Sequence, residues 1–503
     1  MTSATYEGIE EFEYLDLSDR KLGLKGIITV LEDATEDTMI KRINLSQNIS
    51  PDDVKRPNNM ALFFKDLRRC LTNTKSLTAL DLAGNNLFLN FPHPTNEHIR
   101  NYVQDLTTVL VKSNITHIDL SENYILGQSG REYKGFIDLV NKYVLKKGKA
   151  FTCRLSKLNS LTMKIVGNCL GIYSSLTYLD VSDNFGGLDP RGEINSEGIE
   201  CISNLLPQTL HLQVLKLARN SLSDIDLSLI FTAAEQMPRL KSIDVSGNGC
   251  TMRHAAIALK NSIISHSVFE NSTDEFGLQD INIAGNELLD EYARELAYAI
   301  TKTSSLLAMK LSECSLSDIA IQSLTEALGT NSSLRIFPIS GNPEISAKNY
   351  VLFTAETEAN NLLYQIKDDI QSVDCGSLSK GVYAALSRKL RHLSSEVLQE
   401  LYSNESFTIP GSEMLKALQL IQPPPRKKLL YHVQQRSEYV DERLLKSAEL
   451  TRRLHASRVI FHAVMKWYKP IRTQNKLRSV LEEARRREIA HNQKHAEDNL
   501  FKY

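Results

Sequence analysis

Residues 211–230, HLQVLKLARNSLSDIDLSLI, change their apolar spacing partway along. Leu212, Leu215 and Leu217 lead to Asn220 and then to Leu222. An amphipathic helix requires apolar residues three and four apart throughout, and a half-buried strand requires strict alternation. This stretch keeps neither for long. It spells L-x-x-L-x-L-x-x-N-x-L, and the same frame returns along most of the chain. Leu77, Leu80, Leu82, Asn85 and Leu87 repeat it in LTALDLAGNNL, and Ile115, Ile118, Leu120, Asn123 and Ile125 in ITHIDLSENYI. Copies follow at residues 176–184, 240–248, 278–286 and 334–342, with Cys314 in the Asn position of the copy that begins at Leu306. An early copy runs from Ile40 to Asn48, and a weaker one from Tyr14 to Leu22 places Arg20 where Asn belongs. FTCRLSKL, residues 151–158, reads as a degenerate copy in the long gap between Asn123 and Asn184.

In this frame the L-x-L pair is a short strand with its leucines turned inward. The Asn turns inward too, where its amide can bond turn backbone groups that no strand partner reaches. One such unit cannot cover its own apolar face, so neighbours stack into a shared core. Steps of 28 residues, from Asn220 to Asn248 and from Cys314 to Asn342, leave room for a helix after each strand. ARELAYAITKTSSL, residues 293–306, reads as one. Steps of 36 to 38 residues imply longer connecting loops.

These residues resemble the leucine-rich repeat family in its ribonuclease-inhibitor-like form, with a helix in every repeat. The resemblance covers roughly residues 10–350. It implies an α/β fold: a solenoid curved like a horseshoe, with a parallel sheet on the concave side and helices on the convex side, followed by an α-helical C-terminal region.

A fold does not hand over a function. The chain has no G-x-x-x-x-G-K-[ST], H-E-x-x-H or G-x-S-x-G pattern and no dinucleotide fingerprint after a strand. Its 12 histidines are dispersed, and His254 and His266 are expected as surface or capping residues. The 7 cysteines are scattered without a CxxC pair. No catalysis, cofactor or metal is therefore expected. A 42% hydrophobic, 24% charged composition fits a soluble protein, and no apolar run is long enough to span a bilayer. The N-terminus, MTSATYEGIEEFEYLDL, is acidic and has no signal-peptide core, so the expected setting is cytoplasmic, with reduced thiols and no membrane.

Alternation along a strand puts the residues beside and between the core leucines on the open face of the sheet. The middle positions are Asp16, Asn44, Asp81, Asp119, Asp180, Lys216, Asp244, Asn282, Lys310 and Pro338. Their outer neighbours include Tyr14, Arg42, His117, Tyr178, Val214 and Ile336. Aspartates dominate the first two-thirds of the row. Carboxylates stacked about 5 Å apart repel one another, so a basic protein partner or a cation is expected to neutralise this face.

After Tyr350 the frame stops. Residues 351–422 read as helices suited to cap the open end of the stack. QPPPRKK, residues 422–428, then interrupts the chain with prolines that cannot continue a helix. From residue 424 to 503, 19 Lys and Arg face 9 Asp and Glu, whereas the residues before them carry 40 against 51. The expected domains are therefore a repeat solenoid (10–350), a helical cap (351–422) and a basic helical arm (423–503). Within the arm, RVIFHAVMKWYKPIR is apolar nearly all round and holds the only tryptophan. It is expected either to pack back on the helical cap or to dock on a partner, in which case the docking residues are Arg458, Phe461, Met465, Trp467 and Tyr468, supported electrostatically by Arg485, Arg486 and Arg487.

The reading that follows is a non-catalytic protein-interaction scaffold with a basic arm for an acidic surface. Tubulin tails in a cytoskeletal, ciliary or flagellar microtubule assembly are such a surface. Two other classes stand beside it. Ran GTPase-activating proteins are similar horseshoes, but they end in an acidic tail and this chain ends in a basic one. The arm's charge also suits nucleic acid or a ribosome.

Overall fold

The computed structural model describes residues 13–368 apart from 37–38, 55–56, 89–101, 124, 126–129 and 268–276, together with scattered positions between 379 and 389. The chain divides into two compact units, Met1–Asn360 and Asn361–Tyr503. The repeat frame lies in the first.

Each copy of the frame forms one rung, and the described residues place ten three-residue strands in one parallel sheet. They are β1 (Tyr14–Asp16), β2 (Arg42–Asn44), β3 (Ala79–Asp81), β4 (His117–Asp119), β5 (Ala150–Thr152), β6 (Tyr178–Asp180), β7 (Val214–Lys216), β8 (Ser242–Asp244), β9 (Asp280–Asn282) and β10 (Ala308–Lys310). Spatial order follows chain order, β1 to β10. Parallel neighbours need a crossover, and helices such as Gly23–Glu36, Asp224–Ala234, Asp290–Ile300 and Asp318–Thr330 supply it. Strands pack about 4.8 Å apart but helices 8–10 Å. A stack of such rungs must bend with its strands on the inner side. The resulting α/β leucine-rich repeat solenoid is the fold that the frame implies.

FTCRLSKL is a full rung. Phe151 and Cys153 occupy the two core positions, both 0% exposed, Leu158 follows in the core, and Ser156 sits where Asn belongs. An eleventh rung pairs by a single bridge, Ala308 to Ile336. Leu311 and Glu313 donate to the Pro338 and Ser340 carbonyls at 2.9 and 2.8 Å, but Pro338 has no N–H to return, which leaves this rung a bridge rather than a strand. Beyond it, helix Ala347–Asp368 contains Tyr350, where the frame ends in the sequence. The helix lays Phe353 edge-on against Phe337, centroids 4.9 Å apart, and Asn360 donates to the Leu334 carbonyl at 2.8 Å.

The core is one continuous apolar column of frame leucines and helix side chains, including Leu80, Ile118, Leu179, Leu215, Ile243 and Met309. Buried asparagines run beside it. Asn85 accepts the N–H groups of Asn48 and Ile49 in the rung before it, at 2.8 and 2.9 Å, and donates to the Leu45 and Leu82 carbonyls. Asn48, Asn123, Asn184, Asn248 and Asn342 repeat the pattern. Cys314 lacks an amide, and its thiol donates weakly to Ile283 O and Ser312 O instead, at 3.5 Å each.

The second residue after the strand's last core position is left-handed in every rung, from Asp19 and Gln47 to Arg219 and Glu313. A non-glycine residue pays about 1–2 kcal/mol for that conformation. It persists because the same N–H groups extend the parallel ladder: Asp19 to Ser46 O, Gln47 to Ala83 O, Asp183 to Ala218 O and Arg219 to Ser246 O, all at 2.8–3.0 Å. Gly187 is fixed by proximity rather than φ. A Cβ there would lie 2.3 Å from the Ser221 carbonyl oxygen.

Candidate functional site

Strand register places the middle residues in one row: Asp16, Asn44, Asp81, Asp119, Thr152, Asp180, Lys216, Asp244, Asn282 and Lys310. The fifth rung adds Thr152 to the row expected from the sequence. Asn44 parts Asp16 from Asp81, and Thr152 of the fifth rung parts Asp119 from Asp180. Asp81 and Asp119 alone are aspartates in direct register.

Each acid or amide in the row has a structural task. Its Oδ1 accepts the backbone N–H two residues on: Ser18 for Asp16, Ser46 for Asn44, Ala83 for Asp81, Ser121 for Asp119, Ser182 for Asp180, Ser246 for Asp244 and Ala284 for Asn282, at 2.8–3.2 Å. Such bonds turn the chain out of the strand. Asn does this as well as Asp, so the charges exceed what the turns require.

Electrostatics concentrate on the central pair. Burial pushes Asp119 up to about 7, helped by the charges of Asp81 and Asp180 and opposed by the bonds from Ser121. Burial and the charge of Asp16 also raise Asp81, against the Ala83 N–H and Arg42. Burial raises Asp16 too, but its bonds from Ser18 and Tyr14 and the charge of Arg42 outweigh this and bring it below the ordinary carboxylate value. Burial, Lys149 and Arg42 lower His117. Arg42 stacks over the Tyr14 ring at 4.5 Å.

The other expected face residues fall on the sheet as alternation predicts, with unequal exposure. Tyr178 and Asp180 are buried, 8% and 4% exposed, and joined by a 3.3 Å bond from the phenol to Oδ2. Lys216 lies over the Tyr178 ring at 5.3 Å. Asn282 donates to Asp244 at 3.1 Å, and Lys310 pairs with Asp280 at 3.1 Å. The row from Lys216 onward is therefore largely matched by side chains of the same sheet face. Arg458, Phe461, Met465, Trp467, Tyr468, Arg485, Arg486 and Arg487 of the arm lie outside the described residues.

His254 is a surface residue, one of the two roles expected, its side chain exposed and its Nδ1 2.7 Å from Asp224, whose carboxylate also takes the N–H groups of Arg253, His254 and Ala255. His266 is not. It is 0% exposed, and Nε2 donates to the Ala234 carbonyl at 3.0 Å, because the end of helix His254–Ser267 packs against the preceding helix. Burial pushes the Cys153, Cys169 and Cys250 thiols up to about 12, which suppresses thiolate chemistry there. Among the described residues no group of three or more His, Cys, Asp or Glu could hold a metal ion, and no helix is long and apolar enough to cross a membrane.

One further cluster carries no sequence motif. Asp183 is gripped by Arg154 and by Arg219, from the rungs on either side. Burial opposes its charge, but the two guanidiniums hold its carboxyl below the ordinary value. A shallow groove of about 440 Å³, lined by Leu161, Lys164, Ile165, Asn168 and Cys201, opens among helix residues.

No protein-family model matches the chain, and no curated protein matches it. Solved structures do. One is a tropomodulin C-terminal domain from Caenorhabditis elegans, 16% identical, covering 34% of this chain and 97% of that one, with a TM-score of 0.29. Another is the leiomodin-1 actin-binding site 2, 12% identical, covering 35% and 95%, TM-score 0.28. A third is an internalin from Listeria monocytogenes, 16% identical, covering 67% and 92%, TM-score 0.33.

Proposed function

We propose that this chain is a non-catalytic protein-interaction scaffold, a repeat solenoid of the ribonuclease-inhibitor-like kind whose strand face receives a basic protein segment. The observation that carries the reading is the Asp81–Asp119 pair. Asn44 and Asn282 perform the same turn-closing bond in the same row without charge. Two carboxylates side by side oppose each other's ionisation, so their charge costs the fold stability that a cationic partner would restore. Such a row also steers a basic partner toward the face.

The second element is the basic arm at 423–503, proposed to dock on an acidic body through Trp467 and its apolar neighbours. The acidic body favoured by charge is a microtubule assembly, in the cytoskeleton or in a cilium or flagellum. The helical cap at 351–422 closes the solenoid in this reading.

The test replaces Asp81, Asp119 and Asp180 together by Asn, which keeps every Oδ1 turn acceptor, removes the charge and reverses only the Tyr178–Asp180 bond, where the amide would donate to the phenol oxygen. Capture of basic proteins from native extract should fall, mainly through slower association, while the unfolding midpoint stays near wild type. Identical partners in identical amounts at physiological salt would falsify the strand-face reading. Deleting 424–503 should abolish localisation with the solenoid intact. Normal localisation of that truncation removes the arm from the proposal. Pelleting with RNA rather than microtubules moves it to nucleic acid, and stimulated hydrolysis by a small GTPase moves the whole chain to that alternative.

A further inference from the structure

Arg154, Asp183 and Arg219 bring three successive rungs to one point on the rim of the sheet. Asp183 Oδ2 accepts from Arg154 Nε at 2.9 Å and Nη2 at 2.6 Å, and from Arg219 Nη2 at 2.9 Å; Oδ1 accepts from Arg219 Nε. Each guanidinium thus gives one edge to the same carboxylate. Nη1 of each bonds no described residue, and the two side chains are 42% and 55% exposed against 12% for Asp183. One carboxylate between two guanidiniums leaves a net positive charge on the group.

Holding the rungs together does not require this arrangement. Backbone bonds already join the same three rungs, Cys153 to Asp180 O at 2.9 Å and Asp183 to Ala218 O at 2.8 Å. What the carboxylate adds is immobility. A guanidinium held along one edge offers its other donors at fixed positions, and less rotamer entropy is lost when an oxyanion binds them. Arg154 also lies within electrostatic reach of Asp119 and Asp180, so the basic pair borders the acidic row.

We infer that Arg154 and Arg219 take the carboxylate of an Asp or Glu side chain on the partner, whose Lys or Arg lies over the aspartate row. The inference rests on the strand-face reading above and narrows its partner from a basic segment to a mixed-charge one. A phosphate fits less well. It brings close to two negative charges to a group with one positive charge in surplus, beside the carboxylates of the row.

The full-length chain is overlaid on an array of synthetic peptides in a Gly/Ser background. One Lys and one Glu are stepped through successive spacings, with Gln for Glu, Gln for Lys and phosphoserine for Glu as controls. At one spacing, the Glu peptide should be retained about tenfold better than its Gln control, the factor expected for one charge-assisted pair of about 1.4 kcal/mol. Arg154→Gln with Arg219→Gln should erase that factor and keep the preference for Lys. Arg154→Lys with Arg219→Lys, which keeps charge without the planar fork, should fall between, and it decides the matter if the Gln variant does not fold. Equal retention of Glu and Gln, a Glu advantage that survives the arginine changes, or better retention of phosphoserine overturns the inference. If the Lys preference persists in those cases, only this inference falls. If wild type shows no Lys preference, or retains no peptide, the strand-face reading falls with it.

Discussion

Asn48 gives its backbone N–H to Oδ1 of Asn85 at 2.8 Å, so a turn of one rung is closed by a side chain of the next. Asn85 is 0% exposed. Asn85→Ala removes the acceptor of two N–H groups, those of Asn48 and Ile49, where water cannot replace it. Each unsatisfied group costs about 1–3 kcal/mol. Urea unfolding should shift to a clearly lower midpoint, and an unchanged midpoint would show that the amide is dispensable.

Leu215 points into the core, and Asp119, one position later in the frame of its own rung, points away from it. Leu215→Ala should cost about 2–5 kcal/mol, the usual range for a buried leucine. Asp119→Asn at neutral pH should stay within about 0.5 kcal/mol of wild type or gain stability. Equal losses in one denaturant series contradict the inward and outward assignment.

Asp119 also makes a pH prediction. Its folded value, about 7, lies above the ordinary carboxylate value of 3.8. Between those two values the native chain holds a proton that the unfolded chain releases, so this group's contribution to stability falls as pH rises through the window. Wild type measured against Asp119→Asn should therefore look worse at pH 8 than at pH 5. The difference in thermal midpoint between the two proteins, followed across that range, checks it; a flat difference refutes the raised value.

Gly187→Ala should destabilise although alanine is the smallest addition possible. Its Cβ would meet the Ser221 carbonyl and the Leu222 Cα, at 2.3 and 3.0 Å, and both belong to backbone that cannot swing aside. Overpacking of this kind costs about 1–3 kcal/mol. Calorimetry of the variant decides it, with wild-type stability as the failing result.

Much of the fold is legible in single residues. The paired leucines and the Asn three positions later mark each strand and turn, because burial and the need to satisfy turn N–H groups leave few other side chains suitable. The fifth rung is less legible, since Gly148, Cys153 and Ser156 stand where Leu, Leu and Asn are usual. Each is small enough for the interior, and Ser156 gives its N–H to Asn184 whatever its own side chain does. Alternation places Asp180 and Tyr178 on the strand face but says nothing of their burial, which depends on neighbours far away in the chain. Arg154, Asp183 and Arg219 are 29 and 36 residues apart and carry no motif. Their signal was positional: all three fall one or two residues after a strand's last core side chain, where successive rungs lie side by side.

The asparagine acceptors all face one way. Asn48 serves the rung of Arg20, Asn85 that of Asn48, Asn184 that of Ser156 and Asn342 that of Cys314. A chain leaving the ribosome N-terminus first can thus seal each rung only after the following one has emerged. Its newest rung is always the open one, and a cut anywhere in the array unseals the rung upstream of the break while leaving the downstream side closed.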